Sequence, residues 1–137
     1  MLSAFFRPAV NRRRQKKILF DLLAEINTNL ECFYVIDQRQ FISRGFDLEV
    51  WEDAKEFSGI TFSQEMQAYA AALADFNRLF ASMRAFEEMY SSSIDNKTRA
   101  NAEILHARKE ALEENIKAVQ PHILTAQKII RALLEPA

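Results

Sequence analysis

Glu103-Ile104-Leu105-His106 is where residue types and spacing first allow chemistry. Three positions apart on a helix, a carboxylate and an imidazole share one face, as in half of a ferritin-like di-iron site. A complete site needs a second Glu-x-x-His and further inward carboxylates. The chain has one other histidine, His122, and Val119 stands three residues before it. Two histidines cannot build a three-His zinc site, and no Cys/His pair has zinc-ligand spacing. A metal-dependent helical enzyme using Glu103 and His106 is therefore the weakest of three functional readings. Neither a metal nor any other cofactor is expected.

Other catalytic chemistry finds less support. Gly45 and Gly59 are the only glycines, which excludes phosphate-cradling and dinucleotide-binding glycine loops. No serine sits in a nucleophile elbow. The single cysteine, Cys32, lies among Leu30 and Phe33 with no activating base nearby, and is expected to be a buried core thiol. Asp75, Glu87 and Glu88 fall on polar helix faces and are expected to be solvated. Phe and Met recurring at helical spacing read as packed core in preference to a haem or ligand box. No catalytic residue is assigned, and the chain is expected not to be an enzyme.

Charge carries the one strong asymmetry. Arg7, Arg12, Arg13, Arg14, Lys16 and Lys17 give residues 1–17 a charge of +6 with no acid. The remainder holds 12 bases against 19 acids, a charge of −7. Cations at a helix N-terminus oppose the macrodipole. Either the helix starts earlier, at Ser3 or Pro8, or the arm is frayed, or its charges meet an anionic surface. Phe5 and Phe6 beside them suit a membrane interface or an apolar groove with an acidic rim. The acidic body disfavours nucleic acid. An acidic counterpart exists within the chain: Asp47, Glu49, Glu52, Asp53 and Glu56, interrupted only by Lys55. The arm could fold back on that segment or reach that of a second copy, with Trp51 and Phe57 as packing anchors.

These residues must be positioned by helices. Gly and Pro are scarce, at two and three in 137 residues, and 49% of the chain is hydrophobic. A many-turned β fold is thereby disfavoured. Leu112, Ile116, Val119, Ile123, Ala126, Ile130 and Leu133 step by 4 and 3, a heptad seam that Lys109 interrupts upstream. This helix is expected to start at Asp95 or Asn96 and to end at Glu135-Pro136, with Pro121 on its outer face. Phe62, Met66, Tyr69, Leu73, Phe76, Phe80, Met83 and Tyr90 form a second seam, broken only by Glu87. Thr61 or Ser63 can cap its start, and Ser91-Ser92-Ser93 ends it. A first long helix is expected from about Asn11 to Phe41, with its stripe on Leu19, Leu23, Ile26, Leu30 and Phe33. Between the glycines, a short helix is expected with Asp47 as N-cap and Gly59 at C′.

The sequence therefore predicts an all-α antiparallel bundle of three long helices and one short one. Residues 1–17 form a basic, partly apolar arm, and residues 18–137 a single helical-bundle domain. The leading functional reading is a non-enzymatic interaction module, self-associating through heptad-like faces. It rests partly on an expectation that the last helix outreaches its neighbours and leaves its stripe without cover. The expected contact residues are Phe5, Phe6, Arg12, Arg13, Arg14, Lys16, Lys17 and Trp51. The expected partner is a protein or a second copy. The alternative, from another class, is a peripheral membrane protein that lays the arm on an anionic surface. The expected location is cytoplasmic, membrane-peripheral in the second case. No segment reads as a secretory signal or a transmembrane helix.

Overall fold

A computed structural model of the chain describes the backbone of residues 2–37, 45–57 and 59–135, and the side chains of residues 12–33, 45–57 and 59–135. Four α-helices follow one another: α1 (Leu2–Asp37), α2 (Glu49–Ala54), α3 (Gln64–Ser92) and α4 (Arg99–Leu134). A single 3-10 turn, Ile94–Asn96, joins the last two, and no strand occurs among the described residues. Side-chain contacts give the directions. Asn29 of α1 meets Tyr69, and Phe33 reaches Phe76 through the ring of Phe46, so α1 and α3 run parallel. The segment 45–59 returns antiparallel along α1, from Asn29 at Asp47 to Gln15 at Gly59. α4 comes back along both α3 and α1. The fold is thus an up-down-up-down all-α bundle whose second member is a single short helix.

The seams close on one another. Met66, Tyr69, Leu73, Phe76, Phe80 and Met83 of α3 are buried, as are Leu112, Ile116, Val119, Ile123, Ala126 and Ile130 of α4. Each fully buried Leu, Ile or Met contributes about 1.5–3 kcal/mol. Leu133 is 53% exposed, but the rest of the α4 stripe is spent inside the chain. At 36 residues α4 equals α1 in length, so it does not outreach that neighbour. The two charged breaks in the seams meet each other. Lys109 Nζ lies 3.2 Å from Glu87 Oε2, each side chain about a third exposed. What reads in the sequence as two separate flaws is one interhelical ion pair that fixes the register of α3 on α4.

Helix ends follow local chemistry, with three differences from expectation. Ser63 caps α3 by accepting from Met66 N, and Thr98 caps α4 by accepting from Asn101 N. Asp95 and Asn96 therefore belong to the turn, where Asn96 Nδ2 donates to Met89 O and closes the end of α3. α1 starts nine residues before Asn11, which puts Arg12 to Lys17 about three turns inside the helix. There the macrodipole penalty has faded and Arg and Lys are good helix formers. Its expected end at Phe41 lies outside the described residues. The buried line of α1 runs through Leu19, Leu22, Ile26, Asn29 and Phe33, one step round from the expected stripe. Leu23 and Leu30 are only half-buried.

The third difference concerns the segment before α2. Its cap residue is Leu48, not Asp47, and Leu48 has no side chain that could accept. Three side chains from other helices replace the missing local bonds. Asn77 Oδ1 accepts from Phe46 N and its Nδ2 donates to Phe46 O. Asn29 does the same for Asp47 N and O from the opposite side. Glu25 accepts from Val50 N at 2.8 Å and from Trp51 N at 3.2 Å, capping α2 from α1. Gly59 lies five residues beyond the end of α2 and is not its C′ residue.

The register role of the ion pair is testable. A double-mutant cycle with Glu87→Ala and Lys109→Ala is expected to give a favourable coupling of about 0.3–1 kcal/mol, reduced in 1 M salt, because both groups are partly solvated. A coupling of zero would remove the register role.

Candidate functional site

The helices place the basic residues in an unusual setting. Successive helix residues turn by about 100°, so Arg12, Arg13, Arg14, Lys16 and Lys17 spread over roughly 200° of the circumference of α1 and leave Gln15 on the remaining side. All five are exposed. Residue 15 is half-buried, and Gln15 Nε2 donates to Gly59 O. Among the described residues, the apolar packing of α1 begins at Ile18 and Leu19. Phe5 and Phe6 lie on the backbone of α1, and their side chains are outside the described residues.

The acidic counterpart sits further along the same helix. Asp21, Ala24, Glu25 and Thr28 of α1, with Asp47, Glu49 and Val50, line an open cleft of about 340 Å³. Asp47 and Glu49 are exposed at its rim. Among the described residues, no ion pair joins Arg12 to Lys17 with Asp47 to Glu56. Lys17 pairs instead with Asp21 on its own helix at 3.1 Å, and Lys55 pairs with Glu52. The expected fold-back of the arm is thus not seen as ion pairs, although the segment that carries the acidic cluster runs back along α1 and reaches Gln15 at Gly59.

Trp51 is corrected. Its ring is 5% exposed and packs against Phe62 at 5.1 Å, so it anchors α2 to the core and presents nothing to a partner. Its backbone N–H is one of the two that Glu25 holds. Glu25, Asn29 and Asn77 escaped the sequence reading. The available signal was a polar residue, Asn29, at a position spaced like core: 3 after Ile26 and 4 before Phe33. Cys32 is half-buried at the edge of the core, and its Sγ donates to Thr28 O.

Glu103 and His106 are drawn to other partners. Glu103 accepts from Arg99 Nε, and His106 Nε2 lies 2.9 Å from Glu110 Oε1, with all four side chains largely exposed. Among the described residues, no three of His, Cys, Asp and Glu gather as metal ligands would. No described helix is long and apolar enough to cross a membrane. Compared with known proteins, the chain matches no family model, no curated protein and no solved structure.

Glu25 is the one strongly buried acid among the described residues, at 7% exposure. Burial pushes its carboxyl above the ordinary value of 4.5. The N–H bonds from Val50 and Trp51 pull it down, and the nearby charges of Asp47 and Glu49 push it up again. A carboxyl raised in the fold holds its proton more tightly folded than unfolded. Its contribution to stability is full below the unfolded pKa and is lost as pH rises through the folded value. Glu25→Gln removes this titration. Urea unfolding should then show wild-type stability falling relative to the variant as pH rises from about 4 to about 7. A difference that stays flat or grows with pH would contradict the burial argument.

Proposed function

We propose that the chain is a non-enzymatic helical interaction module that makes its contact through the exposed basic segment of α1. The observation that supports this reading is the exposure of Arg12, Arg13, Arg14, Lys16 and Lys17 over more than half the circumference of a regular helix. Among the described residues, four of these five cations have no ion-pair partner, and the pair that Lys17 makes with Asp21 is exposed and contributes little to the fold. Presented on a helix, they form a preordered cationic rod suited to an acidic protein surface. Self-association belongs to this reading. The heptad seams are buried within the chain, so the contact surface is the charged outside of α1.

The membrane alternative makes a different demand. A helix lying in a bilayer interface keeps its cations on one face and apolar residues on the other. Between residues 12 and 17 the side of the helix without cations is turned by Gln15 to Gly59 and offers a bilayer no exposed apolar residue, which favours a protein partner over a lipid surface.

One variant separates these readings. Replacing Arg12, Arg13, Arg14, Lys16 and Lys17 by Gln keeps good helix formers and removes the charge. Affinity capture from native lysate is expected to recover specific proteins with the wild type, and to lose them with the variant or in high salt. Vesicles containing phosphatidylserine should sediment neither form. Capture that is the same for both forms would refute the role of the basic segment. Charge-dependent binding to vesicles without protein capture would put the membrane reading in its place.

A further inference from the structure

The outer face of α1 is self-complementary. Arg13, Lys17, Phe20, Ala24, Thr28 and Glu31 follow one another at spacings of 3 and 4, and all six are exposed. They form one stripe on the side of α1 away from the buried line through Leu22 and Ile26. It spans about 27 Å along the axis. Its basic end is residues 13 and 17, its acidic end is Glu31, and its middle holds a large apolar side chain next to a small one. Phe20 is 58% exposed, the most exposed aromatic side chain among the described residues. Nothing in the fold accounts for a bare phenyl ring at the centre of a charged stripe.

We infer that this face receives a second copy of the chain, with the two α1 helices packed antiparallel about a two-fold axis. The inference rests on the interaction-module reading above and names its partner. With residue 22 on the axis, residue i of one copy faces residue 44 − i of the other. Arg13 then faces Glu31 of the second copy, and Phe20 faces Ala24 of the second copy. Because the contact is isologous, each of these pairs occurs twice. Ala24 leaves room for the ring of Phe20 at an interaxial distance of about 8–10 Å. Lys17 comes beside Thr28 of the second copy, on the floor of the acidic cleft whose rim carries Asp47 and Glu49. A cation that makes no ion pair with Asp47 to Glu56 of its own chain thus reaches that cluster on the neighbouring molecule. Shifting the axis by one residue turns Phe20 away from Ala24, so size and charge select the same register.

Sedimentation equilibrium in low salt tests the pairing. The wild type is expected to be a concentration-dependent dimer that weakens as salt is added. Phe20→Gln should weaken it by about tenfold or more. Arg13→Glu should weaken it too, by setting two glutamates opposite Glu31. Adding Glu31→Arg to Arg13→Glu in one chain should restore it, since both reversed pairs are then complementary. All three positions are exposed, so unchanged thermal melting by circular dichroism shows that the variants fold. A wild type that stays monomeric at protein concentrations approaching millimolar overturns the inference. So does a dimer indifferent to Phe20→Gln, or one that the double reversal fails to restore. If the protein is monomeric while lysate capture still depends on Arg12 to Lys17, the module reading stands and the second copy is excluded as its partner.

Discussion

The bundle depends on how an extended dipeptide, Phe46-Asp47, is held between two helices. A non-helical segment lying partly buried between packed helices turns some of its backbone groups away from water, and leaving those unpaired is costly. In an extended chain, successive residues direct these groups to opposite sides. Phe46 turns its N–H and C=O to Asn77 on α3, and Asp47 turns its own to Asn29 on α1. A side-chain amide has one carbonyl and one N–H₂, so it can imitate the edge of a neighbouring strand. Gly45 precedes this pair at φ +78°, where a side chain would be strained, and a Cβ there would collide with Asn77 Oδ1. Glu25 then continues the clamp into the first turn of α2. Once these bonds form, Phe46 and Trp51 are delivered to the core and the chain is aimed at the start of α3.

The same polar contacts explain why part of the structure escapes a reading of the sequence. Apolar periodicity identifies α3 and α4 well, because nearly every residue on their seams is buried where the 3-4 spacing puts it. Ser63 is legible because a cap bonds within its own turn. Asn29, Asn77 and Glu25 are not, because their partners lie 18 to 31 residues away in sequence. Periodicity treats a polar residue on an apolar face as noise. That is why the stripe of α1 was centred on Leu23 and Leu30 when Leu22 and Asn29 are buried. Glu87 and Lys109 show the same limit: each breaks a seam alone, and only the fold brings them together. The start of α1 at Leu2 agrees with the earlier start that the run of cations suggests, and it leaves those charges inside the helix, away from its N-terminal dipole.

The rigidity of α1 links the fold to the proposed function. One helix carries a cationic segment, an exposed phenylalanine and an acidic cleft in that order. Among the described residues, no ion pair joins its cationic segment to Asp47 through Glu56. The apolar seams that suggest self-association in the sequence are consumed by the monomer, so recognition passes to the outer, charged surface. There, electrostatics set register and rate more than affinity. The clamp on Phe46-Asp47 bears on this surface directly. It holds Asp47 and Glu49 beside Thr28, and so shapes the cleft that α1 presents.

The clamp is therefore the claim to test first, and amide hydrogen exchange reads it directly. The N–H groups of Phe46, Asp47, Val50 and Trp51 lie outside regular helical hydrogen bonding, at a place where a connecting loop would exchange quickly. Each is bonded to a side chain from another helix. They are expected to exchange as slowly as the core amides of α3 around Leu73, and Asn77→Ala should release Phe46 first. Rapid exchange at all four, at the rate of an open loop, would show that the segment is not held and that the helices find their places without it.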